Sequence, residues 1–155
     1  MASVLTGAAL GAGPALAAGP QQPIAFSHAA HVGRRHISCV YCHQGVATTA
    51  HATIPSLETC MGCHRVVMTT NPEVQKLTQA YVSNRPIRWV RVTNLPDFVH
   101  FTHRRHIQAG VECRSCHGDV ARMVQVYKAH SLTMGECLAC HQQRRVSTDC
   151  YTCHF

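Results

Sequence analysis

The ten cysteines of this chain form five pairs of identical spacing, and a histidine follows each pair directly. The pairs are Cys39/Cys42, Cys60/Cys63, Cys113/Cys116, Cys137/Cys140 and Cys150/Cys153, followed by His43, His64, His117, His141 and His154. The pattern Cys-x-x-Cys-His is the attachment site of a c-type haem: thioether bonds hold the porphyrin, and the histidine is the proximal iron ligand. The sequence therefore predicts five covalently bound haem c groups.

Two other chemistries use paired cysteines. Structural zinc sites take two pairs per metal, so five pairs would leave one pair over. Redox disulfides do not require a histidine after the second cysteine. With 13 histidines in 155 residues, five successive matches would arise by composition alone about 4 times in a million. Haem attachment is therefore the interpretation that the pattern favours.

Candidate ligands for the second face of each iron come from a repeated pair of histidines. Phe26 is followed by His28 and His31, and 75 residues later Phe101 is followed by His103 and His106. Histidines three residues apart on a helix lie on one side of it. We expect all four histidines to be distal iron ligands, with the two members of each pair bound to different haems.

The fifth iron has several candidate distal ligands. Met134, Met123, His130 and His51 all remain possible, and a methionine is slightly favoured. Met134 lies three residues before Cys137, and a thioether ligand would raise the potential of that haem. His36 and His100 are interpreted as surface groups or as groups that support other ligands.

The recurring histidine pairs predict a mainly α-helical multihaem cytochrome c with much irregular structure. Two duplicated di-haem modules are expected at residues 24–66 and 99–143, with a linker at 67–98 and a fifth haem site at 144–155. Short helices are expected to carry the attachment motifs.

The linker contains two further patterns. Asn71, Pro72 and Glu73 are typical of a helix start, and an apolar stripe continues to Tyr81. Residues 87–92 alternate like a strand, which would place Ile87, Trp89 and possibly Arg91 on one face. We expect Trp89 to pack against a porphyrin edge rather than to relay electrons.

Composition leaves little for an ordinary core, because the chain has only four Phe, four Tyr and one Trp. Five haems would supply the missing apolar surface, and their ten propionates would change the formal charge from +7 to about −3. The basic balance is therefore a poor argument for nucleic-acid binding. The expected propionate partners are three pairs of adjacent arginines, Arg34/Arg35, Arg104/Arg105 and Arg144/Arg145.

Residues 1–23 carry no charged side chain and are rich in alanine and glycine. Ala15-Leu16-Ala17 resembles a signal-peptidase site, but no basic segment precedes the apolar run. We favour an uncleaved segment that associates with a membrane or docks on a partner over a cleavable signal peptide. Since c-type haem is attached outside the cytoplasmic membrane, we expect the chain at the outer face of that membrane, anchored or bound to a complex.

The two Phe-x-His-x-x-His segments resemble those of class III multihaem cytochromes c. The stretch from Trp89 to His103, with residues 109–118 and 132–141, is more specific and resembles the pentahaem cytochrome subunit of bacterial alternative complex III, a menaquinol:acceptor oxidoreductase. The similarity covers about residues 22–155. A membrane helix is usual at the N-terminus of that family, and the short apolar segment here departs from it.

This resemblance implies an electron-transfer subunit of a respiratory or photosynthetic chain, with no substrate site of its own. Its partners would be an iron–sulfur/molybdopterin-like subunit, quinol-binding membrane subunits, and a monohaem cytochrome c or blue-copper acceptor. Two alternatives remain open: a free periplasmic carrier, and a multihaem oxyanion reductase, which would need an iron with an open coordination position.

Overall fold

The computed structural model describes residues 19–154, and the apolar segment predicted at the N-terminus lies largely outside them. The described chain is helical and irregular, and no β-strand occurs between Gly19 and His154, which confirms the predicted mainly α class. The α-helices are α1 Cys39–Cys42, α2 Leu57–His64, α3 Pro72–Val82, α4 His103–Gln108, α5 Arg114–His117, α6 Met134–Gln143 and α7 Cys150–Cys153. A π-helix at Ala29–Arg34 and 3-10 turns at Gln44–Ala47 and Val120–Arg122 complete the set.

The linker helix forms as the sequence predicts. Asn71 caps α3, because its side-chain oxygen accepts hydrogen bonds from the backbone N–H groups of Glu73 and Val74. Val74 and Leu77 are the buried residues of α3, which packs against α2. The linker is therefore held against the helix that carries the second attachment motif.

The strand predicted over residues 87–92 is wrong. The segment is extended, but the Val90 N–H and carbonyl both pair with the side-chain amide of Gln22, each at 2.9 Å, in place of a neighbouring strand. The predicted alternation is present at Ile87 and Trp89, which are half-buried between exposed neighbours, but it does not extend to Arg91, which is exposed. A side-chain amide offers one donor and one acceptor, as a backbone partner would.

The largest group of packed apolar side chains covers α2. Ile24, Met61 and Leu77 are buried there, and Tyr81, Ile87 and Trp89 pack around them. Trp89 also contacts the ring of Phe26 at 6.3 Å. Among the described residues only six hydrophobic side chains are buried, and none is fully buried. The polypeptide by itself thus forms a small core.

The two halves of the chain contact each other through two reciprocal helix–turn pairs. The π-helix Ala29–Arg34 packs on the turn Val120–Arg122, and α4 packs on the turn Gln44–Ala47. Each partner turn begins shortly after an attachment motif of the other half. Within the described residues, no helix is both long and apolar enough to cross a membrane.

Gly33 allows the close approach of the π-helix to the second half. A Cβ atom at this position would lie 2.3 Å from the Ala121 carbonyl oxygen, so the two backbones would have to separate. We expect Gly33→Ala to lower the stability of the haem-loaded protein by about 1–3 kcal/mol, measured as a fall in its thermal midpoint. Gly135→Ala is the matched control, because the nearest atom to a Cβ there is 3.9 Å away; an equal fall in both variants would contradict this role for Gly33.

Candidate haem-attachment sites

Each cysteine pair lies on one turn of helix. The five turns belong to α1, α2, α5, α6 and α7, with Cys113 as the N-cap residue of α5 in a helical backbone conformation. Cysteines three residues apart project to the same side of a helix. Both sulfurs of a motif can therefore reach one bound group. None of the ten cysteines, all of which lie in the described part of the chain, is joined in a disulfide, and each is exposed or half-buried.

The second cysteines of the motifs differ in how far the polypeptide shelters them. Cys42, Cys116 and Cys153 are half-buried, whereas Cys63 and Cys140 are exposed. A haem bound to both sulfurs of a motif would itself cover them, so an exposed position on the polypeptide is compatible with the predicted role.

The exposure of these two thiols follows from the helices that carry them. On α2 the buried residue is Met61, and Cys63 lies two residues further on, about 200° around the helix axis and so on the opposite side. Cys140 lies on α6, which has no buried residue. The polypeptide therefore leaves both sulfurs accessible, and their assignment as thioether partners of haem stays a prediction.

Capping residues start three of these motif-bearing helices. Ser56 accepts a hydrogen bond from the Thr59 N–H, and Asp149 accepts one from the Tyr151 N–H. Thr133 and Glu136 form a reciprocal capping box at the start of α6. The caps fix the first turn, and with it the direction in which the following cysteines point.

The environments of five cysteines favour the thiol over the thiolate. Burial raises the pKa of Cys42, Cys60, Cys113, Cys116 and Cys137, with neighbouring cysteines as a further cause. A zinc site needs deprotonated cysteines that converge on one point. Within residues 19–154, no three potential metal ligands converge in this way. The geometry therefore supports separate attachment motifs rather than a zinc centre.

The motif histidines are oriented by backbone carbonyl groups. Counting Nδ1 as the protonated nitrogen, His43 donates to the Thr53 carbonyl at 2.7 Å, and His64 donates to the Val67 carbonyl at 3.1 Å. A histidine that binds a metal through one ring nitrogen commonly donates from the other to a carbonyl, which fixes its tautomer and direction.

The fourth and fifth motifs follow the same rule. His141 Nδ1 donates to the Ser147 carbonyl at 2.7 Å, and His154 Nδ1 donates to the Phe98 carbonyl at 3.1 Å. In four of the five motifs the histidine is thus held so that Nε2 is available to a metal ion.

The two predicted distal pairs have closely similar surroundings. The ring of Phe26 meets His28 edge-on at 4.9 Å and stacks on His31 at 4.4 Å. The ring of Phe101 meets His103 edge-on at 4.8 Å and lies tilted over His106 at 4.5 Å. A phenylalanine between two histidines holds both rings in place, a role that the sequence did not reveal.

The distal histidines are also oriented from behind by carbonyl groups. His31 Nδ1 lies 2.9 Å from the Ser27 carbonyl oxygen, and His106 Nδ1 lies 2.9 Å from the Thr102 oxygen, the same step of four residues back along the chain. His103 Nδ1 instead contacts the Ala50 carbonyl oxygen at 3.0 Å, across 53 residues.

Three distal histidines each face a motif histidine. The ring centroids are 6.1 Å apart for His31 and His64, 6.3 Å for His103 and His117, and 6.2 Å for His106 and His141. A metal–imidazole bond is about 2.0–2.1 Å, so two rings on opposite sides of one metal atom have centroids about 6.3 Å apart. The gaps therefore fit one metal atom between each pair of rings.

His28 and His117 are the most desolvated of these imidazoles. Burial lowers the pKa of His28 to about 4, and positive charge on His43 and then His31 contributes to the same shift. Burial also lowers the pKa of His117, followed by charge on His103. Both rings are therefore neutral at neutral pH, the form that binds metals. His28 Nδ1 is buried without a hydrogen-bond partner among the described residues.

The candidates for the fifth distal ligand lie in different environments. Met123 is only 4% exposed, whereas Met134, the first residue of α6, is 61% exposed. His51 and His130 are exposed. The His154 ring contacts the Phe98 ring at 5.8 Å. The choice among the four candidates stays a prediction.

The remaining histidines and the arginine pairs are near the surface. His36 is exposed, and the backbone N–H of His100 donates to the Cys153 carbonyl, which places His100 beside the fifth motif. The predicted propionate partners are all exposed, and among the described residues none forms a salt bridge with a protein carboxylate; they are Arg34, Arg35, Arg104, Arg105, Arg144 and Arg145. Their guanidinium groups are free of carboxylate partners there, so the propionate assignment stays a prediction.

Helical turns that carry paired thiols, together with imidazoles that face one another, are the arrangement that a multihaem cytochrome of the c type requires. Comparison with known proteins supports this class. Residues 99–155 match the family described as "Cytochrome c7 and related cytochrome c". The chain is also similar to the "Menaquinone reductase, multiheme cytochrome c subunit" of Nitratidesulfovibrio vulgaris Hildenborough, with 29% identity over 86% of this chain and 77% of the relative.

Proposed function

We propose that the chain is a pentahaem cytochrome that passes single electrons between haems ligated on both faces of the iron. The observation that carries this proposal is the set of three facing imidazole pairs with centroids 6.1–6.3 Å apart. Each motif histidine in these pairs would then have its opposite ligand at the distance that one iron atom needs. A haem iron with two strong axial ligands is suited to electron transfer rather than to binding a small substrate.

The residues that would hold the five haems fall into three groups. The thioether bonds come from the ten cysteines, and the proximal ligands are His43, His64, His117, His141 and His154. The distal ligands of four haems are His28, His31, His103 and His106. Haem supplies the one-electron Fe(III)/Fe(II) couple. Carbonyl hydrogen bonds orient seven of these nine imidazoles, and phenylalanine rings pack on the four distal ones, so little has to move when the charge on the iron changes.

We further propose that residues 24–66 and 99–143 are duplicated di-haem modules. The two Phe-x-His-x-x-His clusters support this proposal, because corresponding ring distances differ by only about 0.1 Å between the clusters. The reciprocal packing of each distal-histidine helix on the other half also supports it. Residues 144–155 then add the fifth haem site.

In the cell, we propose that the chain is the cytochrome subunit of a membrane-bound quinol oxidoreductase similar to alternative complex III, at the outer face of the cytoplasmic membrane. Its partners would be an iron–sulfur/molybdopterin-like subunit, quinol-binding membrane subunits, and a soluble or oxidase-linked acceptor. The relative named as a subunit of menaquinone reductase supports a complex of this general kind. Electrons would run from quinol toward the acceptor.

The name of that relative favours a second candidate, in which electrons run in the opposite direction and menaquinone is reduced. Both candidates assign the same ligands to the chain. They differ in the enzyme complex around it and in the direction of net electron flow.

The experiment that tests the proposal is purification of an affinity-tagged chain from detergent-solubilised membranes. We expect the chain to carry five haems by mass spectrometry, and to copurify with membrane subunits that allow its haems to be reduced by menaquinol. Net reduction of menaquinone by the same preparation would support the second candidate. A haem-loaded monomer recovered only from the soluble fraction would contradict both and support a free carrier.

A further inference from the structure

We infer that the five attachment motifs, numbered 1 to 5 along the chain, are neighbours through the molecule in the order 2–1–3–4–5 rather than in sequence order. This inference rests on the proposed haem binding and adds which sites adjoin one another. Motifs 1 and 3 lie side by side at the centre, and motifs 2 and 5 lie at the two ends.

Motifs 1 and 2 are neighbours because one short segment supplies a ligand to each. His31 faces His64 of motif 2, with ring centroids 6.1 Å apart. His28, three residues earlier, interacts electrostatically with His43 of motif 1. Phe26 contacts both distal rings, at 4.9 Å and 4.4 Å, so the two sites share one wall.

Motifs 3 and 4 are neighbours for the same reason, because α4 supplies a ligand to each of them. His103 faces His117 of motif 3 in a nearly parallel stack, with an interplanar angle of 8°, and His106 faces His141 of motif 4. The two distal histidines are one helical turn apart, and Phe101 contacts both. Within each half, one helical turn therefore supplies a distal histidine to each of two motifs, which makes those motifs neighbours.

Motifs 1 and 3 are brought together by contacts in both directions between the halves. The Ala50 carbonyl, shortly after motif 1, accepts from the backbone N–H of His103 at 3.1 Å and lies 3.0 Å from its Nδ1. A residue of the loop after motif 1 thus orients the distal ligand of motif 3.

The reverse contact joins the π-helix to the turn after motif 3. The Ala29 N–H donates to the Met123 carbonyl at 2.9 Å, and Gly33 approaches the Ala121 carbonyl closely. The thiols of Cys39 in motif 1 and Cys113 in motif 3 also lie within hydrogen-bonding reach. In chain order motif 2 would stand between these two motifs, so they would not share these contacts.

Motif 5 adjoins motif 4 at the outer end. The Ser147 carbonyl orients His141 of motif 4, and the hydroxyl of the same serine hydrogen-bonds to Thr152 inside motif 5 at 2.9 Å. Cys137 of motif 4 and Cys153 of motif 5 interact electrostatically. One serine therefore links the last two sites.

The test is a structure of the haem-loaded protein in which the iron atoms are located by anomalous diffraction at the iron edge and traced to their cysteines. We expect the iron of motif 3 to lie next to that of motif 1, and the irons of motifs 2 and 5 to have one near neighbour each. Five irons in another order would overturn the inference while leaving the proposed haem count intact. Fewer than five irons would instead contradict the count.

A matched pair of variants provides a test in solution. His31→Met alters motif 2, at an end, and His106→Met alters motif 4, in the interior. A histidine–methionine site has a higher potential and is reduced first. Its reduction should then change the ferric electron paramagnetic resonance signals of its neighbours only, one in His31→Met and two in His106→Met. Equal numbers of altered signals in both variants would overturn the order.

Discussion

Produced without haem, this chain is expected to remain unfolded. Six hydrophobic side chains are buried among the described residues, and none is fully buried. Three of the five motif-bearing helices span only four residues each, whereas isolated helices shorter than about 12–15 residues are marginal in water. The porphyrins must therefore supply most of the apolar surface, so that haem binding is also folding free energy, as metal binding is in small metalloproteins.

The measurement compares chain exported to a compartment with haem-attachment machinery with the same chain made in the cytoplasm without it. We expect cooperative thermal unfolding and a defined far-ultraviolet circular dichroism spectrum only for the haem-loaded chain, with rapid proteolysis of the other. A cooperatively unfolding, protease-resistant apoprotein would contradict the prediction. Replacing only Cys150 and Cys153 by serine is a graded control, because it removes one terminal haem and should leave a folded tetrahaem protein.

The sequence predicted the parts of the structure whose determinants are local. The α3 helix was predicted from Asn71, Pro72 and the apolar stripe. The positions of the five cysteine pairs on helical turns, and the pairing of the histidines three residues apart, were predicted from short motifs. The capping box of α6 is also a local pattern, Thr133 followed by Glu136 three residues later, but it was not predicted and only the structure showed it.

The features that were not predicted depend on contacts between residues far apart in the sequence, and no local pattern indicates such contacts. The carbonyl groups that orient His103 and His154 come from Ala50 and Phe98, which are 53 and 56 residues away. Every residue except proline offers the same backbone donor and acceptor, so no residue type identifies such a partner in advance. The incorrect strand has the same origin, because the alternation near Trp89 correctly indicated a half-buried extended segment but could not show that the Gln22 side chain pairs with it.

Removal of one distal imidazole is expected to change the electronic state of one haem and to leave the others as they were. His106 is half-buried on α4, its Nδ1 lies 2.9 Å from the Thr102 carbonyl oxygen, and its ring faces His141 at 6.2 Å. In His106→Ala the fourth iron would keep only its proximal ligand. We expect a high-spin ferric signal from about one haem in five, together with rapid cyanide binding at that site.

His36→Ala is the matched control, because His36 is exposed and was not predicted to bind iron. It should leave every haem low-spin. His106→Met separates ligation from packing: a thioether should restore the low-spin state but raise the potential of that haem, since methionine favours Fe(II) relative to a second histidine. Added imidazole should likewise rescue His106→Ala. If the spectrum of His106→Ala matched that of the unmodified protein, the ring that faces His141 would not be its partner across the iron, and the ligand assignment of the second half would have to be changed.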